Sequence, residues 1–286
     1  MQIYKYQGAG NDFLVVDGRS EGFSIDESQI IALCDRRYGI GADGFMVLRR
    51  PDASMSNADP VDFAMDFYNS DGSSGMMCGN GGRCIVAFAH RCGYRSFRFM
   101  APDGLHQGEV LEAEGHTLKV RLQMIDVDKV ERLEEGAYFL NTGTVHYVTF
   151  RDNVQNVDVF QEGRTIRHDT RFAPVGTNVN FIERSQEGIR IRTFEKGVED
   201  ETFACGTGIV ASSLASYSDF LLTGAHPEAF SVQNDPSDGK RIHYRIQALR
   251  DRLEVDFTPH TEKSGKTVFR NIFLTGPATF VFSTEI

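Results

Sequence analysis

The chain has no apolar run long enough to span a bilayer and no block of basic residues. The first absence argues against a membrane-spanning protein. The second, with a net charge of −10, argues against nucleic acid and anionic lipid surfaces as partners. The opening residues Met1-Gln2-Ile3-Tyr4-Lys5-Tyr6 carry no apolar signal-peptide core. Cysteine is scarce: Cys34, Cys78, Cys84, Cys92 and Cys205, with no Cys-x-x-Cys pair and no Cys/His metal spacing. An odd set of this kind points away from a disulfide framework and suits a reducing cytoplasm. The glycine-rich loop Gly39-Ile40-Gly41-Ala42-Asp43-Gly44 lacks the Gly-Lys-Ser/Thr ending of a P-loop.

What is present is a chain of 286 residues, 41% apolar, enough for one large domain or two of ordinary size. Its most informative stretches are Met77-Cys78-Gly79-Asn80-Gly81 and the later Ala204-Cys205-Gly206-Thr207-Gly208. Each runs into an Ala-rich segment with apolar residues at helical spacing, so each predicts a cysteine at the start of a helix. A thiolate is favoured at the positive end of a helix dipole, and the first-turn N–H groups there can hold a carboxylate. A single such cysteine reads as a small buried hydrophobe. Two copies suit a reaction that removes a proton from one face of a carbon and returns one to the other, with thiolate and thiol exchanging roles.

The rest of the chain alternates short strands with turns. Residues 3–6 and 13–17 read as strands around the polar turn Gly8–Asp12, and 28–34 as a short helix. Residues 45–48 and 63–69 read as strands on either side of a polar turn region, Pro51 to Pro60. The first cysteine helix extends to about Cys92, and 95–101, 105–113 and 116–122 follow as antiparallel strands. A second series holds strands in 138–150, a helix within 157–172, a strand at 189–195 and the second cysteine helix. Strand-like segments then cover 229–233, 241–248, 252–257, 267–274 and 278–283, separated by Pro227, Pro236, Gly239, Pro259 and Gly265. Phe67 lies eleven residues before Cys78 and Phe194 eleven before Cys205, which marks an internal repeat. In that repeat Gly176-Thr177-Asn178-Val179-Asn180-Phe181 parallels the early Gly8–Phe13 turn, and the ligand is expected between the halves.

These motifs resemble diaminopimelate epimerases over nearly the whole chain. The likeness rests on Gly8-Ala9-Gly10-Asn11-Asp12-Phe13, Tyr68-Asn69-Ser70-Asp71-Gly72-Ser73, Met77–Cys84, Gly176–Phe181 and Thr202–Gly208. It implies an α+β fold of two pseudo-symmetric domains, each a curved, mainly antiparallel sheet wrapped around a central helix. The expected domains are 1–122 with 276–286, carrying Cys78, and 123–275, carrying Cys205. It further implies a cytoplasmic, homodimeric isomerase of lysine and peptidoglycan precursor synthesis. Such an enzyme interconverts LL- and meso-2,6-diaminoheptanedioate without pyridoxal phosphate or metal. Carried over by position, Cys78 and Cys205 are the acid/base pair. Gly79, Asn80, Gly206 and Thr207 offer first-turn N–H groups to the α-carboxylate. Asn11, Asn69 and Asn178 bind the distal end, and Glu195 meets the substrate ammonium. The resemblance sets His146 next to the first thiol and leaves it between a catalytic and a structural role.

Three departures stand out. The family's Glu-Arg pair is Glu195-Lys196, and Lys cannot grip a carboxylate bidentately. The loop from Glu195 to Cys205 is one residue longer than is common. A Gly-Asn/Ser-Pro-His motif reads Gly143-Thr144-Val145-His146, keeping a hydrogen-bonding side chain but not the rigid proline. Three alternatives compete. A proline or hydroxyproline racemase would carry His where Asn80 stands. A fold-sharing, phenazine-type protein would lack the thiol chemistry. A redox sensor would join Cys78 to Cys205.

Overall fold

A computed structural model describes residues 1–52, 60–235 and 239–286. They divide into two compact units, Met1–Gln123 with Gly276–Ile286, and Met124–Thr275.

In the first unit β1 (Gln2–Gly8) turns back into β2 (Asn11–Asp17), with Gly8 opposite Asn11. The turn residues Ala9 and Gly10 both have positive φ, 52° and 96°. That is the backbone hand that matches a tight hairpin to the strand twist. A crossover through α1 (Glu27–Cys34) leads to β3 (Gly44–Arg49), which lies parallel to β2. Asp26 and Gln29 cap α1 reciprocally. Ile30 and Cys34 turn its apolar side onto Ile3, Leu14, Val16, Phe45 and Val47. Next, β4 (Phe63–Asn69) pairs antiparallel with β3, and the chain enters α2 (Gly79–Arg91). Every residue of α2 from Gly79 to Ala89 is buried. A helix covered all round belongs inside a sheet rather than on its face.

Strands β5 (Phe97–Ala101), β6 (Gly104–Glu114) and β7 (Thr117–Gln123) continue the sheet, with β5 parallel to β4 and the rest antiparallel. Residues Gly276–Glu285 then pair with β7 on one side and β1 on the other. Neighbour to neighbour, the ladders close into a ring of eight strands, and α2 packs against β1, β2, β3, β6 and β7.

The second unit repeats the plan. Strands β8 (Val130–Arg132), β9 (Tyr138–Asn141) and β10 (Val145–Phe150) are antiparallel. A crossover through α3 (Val159–Arg167) brings β11 (Asn178–Ser185) parallel to β10, and β12 (Gly188–Glu195) folds back on it. The short β13 (Asp200–Thr202) leads into α4 (Gly206–Thr223). After β14 (Phe230–Asp235) come β15 (Gly239–Gln247), parallel to β12, then β16 (Arg252–Thr261) and β17 (Thr267–Glu285). Met124 and Val127, just before β8, bond back to Ile272 and Phe269 of β17 and complete the second ring. Counted along the ladders from β1 and from β9, both units run antiparallel, parallel, antiparallel, parallel, antiparallel, with a crossover helix between the second and third of these strands and a cysteine helix between the fourth and fifth. The α+β fold with two pseudo-symmetric domains follows from this shared order.

Two expectations need correction. The topology equates the β1–β2 hairpin with the β9–β10 turn at Thr142–Thr144, and β11 with β3. Gly176–Phe181 is therefore the repeat partner of the entry to β3, not of the early Gly8–Phe13 turn. Both stretches begin strands with Gly and Asn, and local composition cannot tell a hairpin from the end of a crossover. Second, Pro259 does not separate strands, and 267–274 and 278–283 are one strand. Pro259 pairs with Phe269 beyond the end of the β15 ladder at Phe257. Pro277 pairs with Lys119 between the end of the β16 ladder at Thr275 and the start of the β1 ladder at Thr279. Each proline sits where one side of its strand needs no donor. The polar turn expected at Pro51 to Pro60 and the break at Pro236 fall wholly or largely outside the described residues.

Candidate active site

Cys78 is the residue that caps α2. Its backbone is extended, φ −102° and ψ 157°, and Sγ accepts the N–H of Gly81 at 3.2 Å. The preceding segment is pinned, because Met77 N–H donates to Asp103 Oδ1 at 3.2 Å. Asn80 is buried and sits on the first turn. Its Oδ1 accepts from Arg83 Nη2 at 2.8 Å and its Nδ2 donates to Asn11 Oδ1. Asn11 Nδ2 donates in turn to Asp43 Oδ2 at 3.1 Å. The Asp43 carboxylate belongs to a cluster with Asp12, Arg36 and Lys5. Burial alone would raise the Asp12 carboxyl, but hydrogen bonds and charge from Arg36 and Lys5 outweigh it and hold its pKa down to about 2. Asn69 ends β4 exposed, with Nδ2 donating to Ser73 Oγ at 3.0 Å.

Cys205 caps α4 in the same extended conformation, φ −102° and ψ 109°, but its side chain does not cap the helix. Instead Sγ lies 3.4 Å from Thr207 Oγ1. That hydroxyl is 3.0 Å from His146 Nε2 and 3.3 Å from Thr144 Oγ1, while Thr142 Oγ1 donates to the Thr207 carbonyl at 2.9 Å. Within this unit His146 therefore stands against the residue two beyond Cys205.

His146 has no solvent exposure, and burial, helped by the Lys196 charge, lowers its pKa to about 3. Its tautomer follows from its neighbours. Asn180 Nδ2 donates to the Tyr147 carbonyl at 3.0 Å, which can only accept, and Asn180 Oδ1 accepts from Thr193 Oγ1 at 3.0 Å. The amide is thereby oriented, and its second N–H faces His146 Nδ1 at 3.1 Å. Nδ1 is the acceptor, so Nε2 carries the proton towards the Thr144 and Thr207 hydroxyls. Gly208 makes room for this arrangement: a Cβ there would lie 2.4 Å from Asn180 Oδ1.

Asn178 is buried. Its Oδ1 accepts from Lys196 N–H at 2.8 Å, and its Nδ2 donates to Thr144 Oγ1 and the Val145 carbonyl at 3.2 and 2.9 Å. It thus ties the Glu195-Lys196 corner to the Thr144 turn. Glu195 Oε2 accepts from Thr202 Oγ1 at 2.8 Å, which links the end of β12 to β13. In the first unit the structure brings Cys78, Gly79, Asn80 and Asn11 together. In the second it brings together Cys205, Gly206, Thr207, Thr144, His146, Asn178 and the Lys196 backbone.

Arg83, Asp43 and Asn180 were missed as site residues. Arg83 and Asn180 lie inside the motifs already noted, and the signal was a polar side chain amid residues that a helix or strand would bury. The other three cysteines are different in kind. Burial pushes Cys34 up to about 11 and raises Cys84 and Cys92 as well. No disulfide joins any of the five cysteines.

Comparison with known proteins gives the family. A family model described as diaminopimelate epimerase matches residues 3–130 and 138–235. The diaminopimelate epimerase of Flavobacterium psychrophilum is 41% identical over 290 residues, covering 100% of both chains. That of Chlorobaculum tepidum is 44% identical over 219 residues, covering 73% of this chain and 81% of its own. Among solved structures, a phenazine biosynthesis protein of the PhzF family from Bacillus anthracis superposes with a TM-score of 0.67 at 12% identity, covering 100% of this chain and 98% of its own. At that identity the likeness concerns the fold alone. Sequence and architecture together lead to one conclusion: the chain belongs to the diaminopimelate epimerase family.

Proposed function

We propose that the protein is a cofactor-independent epimerase that interconverts LL- and meso-2,6-diaminoheptanedioate. The observation that carries the reading is the pair of cysteines, Cys78 and Cys205, capping the central helices of two units with the same strand order. The relatives that span this chain are named for the same activity. In the direction from the LL isomer, the Cys78 thiolate takes the α-proton and becomes a thiol. The Cys205 thiol gives its proton to the opposite face and becomes a thiolate. The electron pair left on carbon is stabilised through the α-carboxylate, which the first-turn N–H groups of Gly79, Asn80, Gly206 and Thr207 hold. Exchange with solvent resets the two thiols. From the meso isomer the roles reverse.

Asn11, Asn69 and Asn178 read the distal amino-acid end, Glu195 meets an ammonium, and Lys196 supplies a single compact charge to the distal carboxylate. Thr144 and His146 act behind Thr207. The setting is a cytoplasmic homodimer in lysine and peptidoglycan precursor synthesis. Among the described residues no helix is long and apolar enough to cross a membrane.

Reduced protein treated with chelator, and given no pyridoxal phosphate, should convert LL- to meso-diaminopimelate, read by chiral chromatography. Cys78→Ser and Cys205→Ser should each lose nearly all turnover while remaining folded, because a serine hydroxyl is a far weaker acid and its alkoxide is scarce at neutral pH. Lys196→Ala should raise KM, and Lys196→Arg should restore it. A strict cofactor requirement, or wild-type turnover in either serine variant, would refute the two-thiol reading.

A further inference from the structure

Arg83 heads the large side chains that are fully buried, and it stands on the first turns of α2, before the apolar run Cys84–Ala89. A guanidinium keeps its proton even in a protein interior, so burial must be offset by acceptors for its N–H groups. Here Nη1 donates to the Gly79 carbonyl at 3.1 Å, Nη2 to Asn80 Oδ1 at 2.8 Å and Nε to the Pro277 carbonyl at 3.3 Å. Packing alone would be served by an aliphatic side chain of similar length.

The contact with Asn80 has a consequence further out. A guanidinium only donates, so it fixes the oxygen end of the Asn80 amide towards itself. Asn80 Nδ2 must then point away, and it donates to Asn11 Oδ1. Asn11 is left with Nδ2 towards the Asp43 carboxylate, which only accepts, at 3.1 Å. Both amides are thus held in one polarity between a pure donor and a pure acceptor. The same cation hydrogen-bonds the carbonyl of Gly79, the residue after Cys78. The positive charge is thus fixed on the carbonyl of the residue next to Cys78, whose sulfur accepts the Gly81 N–H.

We infer that Arg83 is a positioning residue for the first thiol: it locks the Asn80 and Asn11 amides in one orientation and favours the Cys78 thiolate. The part that concerns substrate rests on the epimerase reading; the part that concerns the thiol does not.

The test uses full-length reduced protein. The pH dependence of iodoacetamide alkylation at Cys78 is followed by peptide mass spectrometry without substrate, and KM and kcat for LL-diaminopimelate are measured separately. Arg83→Gln should move the Cys78 midpoint up by about one pH unit, as loss of a nearby opposite charge does, and leave Cys205 unmoved. Arg83→Lys keeps charge without the fork, so the midpoint should stay near wild type while KM rises roughly tenfold. Asn80→Ala should reproduce the rise in KM with little change of midpoint, and it decides the amide role if Arg83→Gln fails to fold. In that case wild-type KM in both Arg83→Lys and Asn80→Ala would overturn the inference. So would a folded Arg83→Gln protein with the wild-type midpoint and KM. A shifted midpoint in a protein that epimerises nothing would uphold the role of Arg83 and reject the proposed function instead.

Discussion

At the residue scale the sharpest constraint is on His146. It is buried, its Nδ1 is committed to Asn180, and burial holds it neutral, with a pKa of about 3. A neutral imidazole whose Nε2–H faces Thr207 can order a hydroxyl beside Cys205; it does not form an ion pair with the thiolate. The same burial makes stability depend on pH. The unfolded chain binds a proton at His146 below about 6.5, whereas the folded one refuses it until about pH 3. The unfolded state therefore holds more protons across that window, and the contribution is complete above it and lost as pH falls through it. Urea unfolding at pH 7.5 and pH 5 should show wild type losing on the order of 2 kcal/mol more than His146→Gln over that interval. Parallel losses in the two proteins would mean that His146 titrates normally in the fold.

At the scale of elements, the two cysteine helices are what the local sequence specifies best. Small residues beside a cysteine, followed by Ala and apolar residues at helical spacing, predicted both N-caps, and α2 and α4 start at Gly79 and Gly206. The strands were legible from alternation and from glycine turns. What was not legible depends on partners distant in sequence. Arg83 finds an acceptor in Pro277, 194 residues away, and only the closed ring brings that carbonyl to α2. Pro259 and Pro277 read as breaks because a proline's tolerance in a strand depends on which side is paired, a property of the sheet. Asn11 and Asn178 looked equivalent because each comes within two residues of a glycine at the start of a strand, yet one leaves a hairpin and the other a crossover. Helix α4 offers a direct test of close packing. Gly208→Ala would set a methyl 2.4 Å from Asn180 Oδ1, and that amide is held by Thr193, His146 and Tyr147, so it cannot swing aside cheaply. A loss of about 1–3 kcal/mol is expected, seen as a Tm lower by roughly 3–10 °C, together with weaker epimerase activity. An unchanged Tm would show that α4 and β11 have more slack than this geometry allows.

At the scale of the whole molecule, the chain builds one plan twice: an eight-stranded ring around a helix whose first turn is capped by cysteine. The final strand serves both units, since residues to Thr275 belong to the second and those from Gly276 to the first. Duplication of the cysteine-capped helix matters to the proposed reaction, because inversion by two groups uses a base on one face of the carbon and an acid on the other. One cysteine helix could exchange a proton; two can invert a centre. The direct measurement is proton NMR of LL-diaminopimelate incubated with reduced enzyme in deuterated water, sampled before equilibrium. A two-thiol reaction predicts deuterium at the inverted α-carbon of the first meso product, while the LL isomer still present keeps its α-protons. Early meso product that has retained its original α-proton would contradict the assignment of Cys78 and Cys205 to opposite faces.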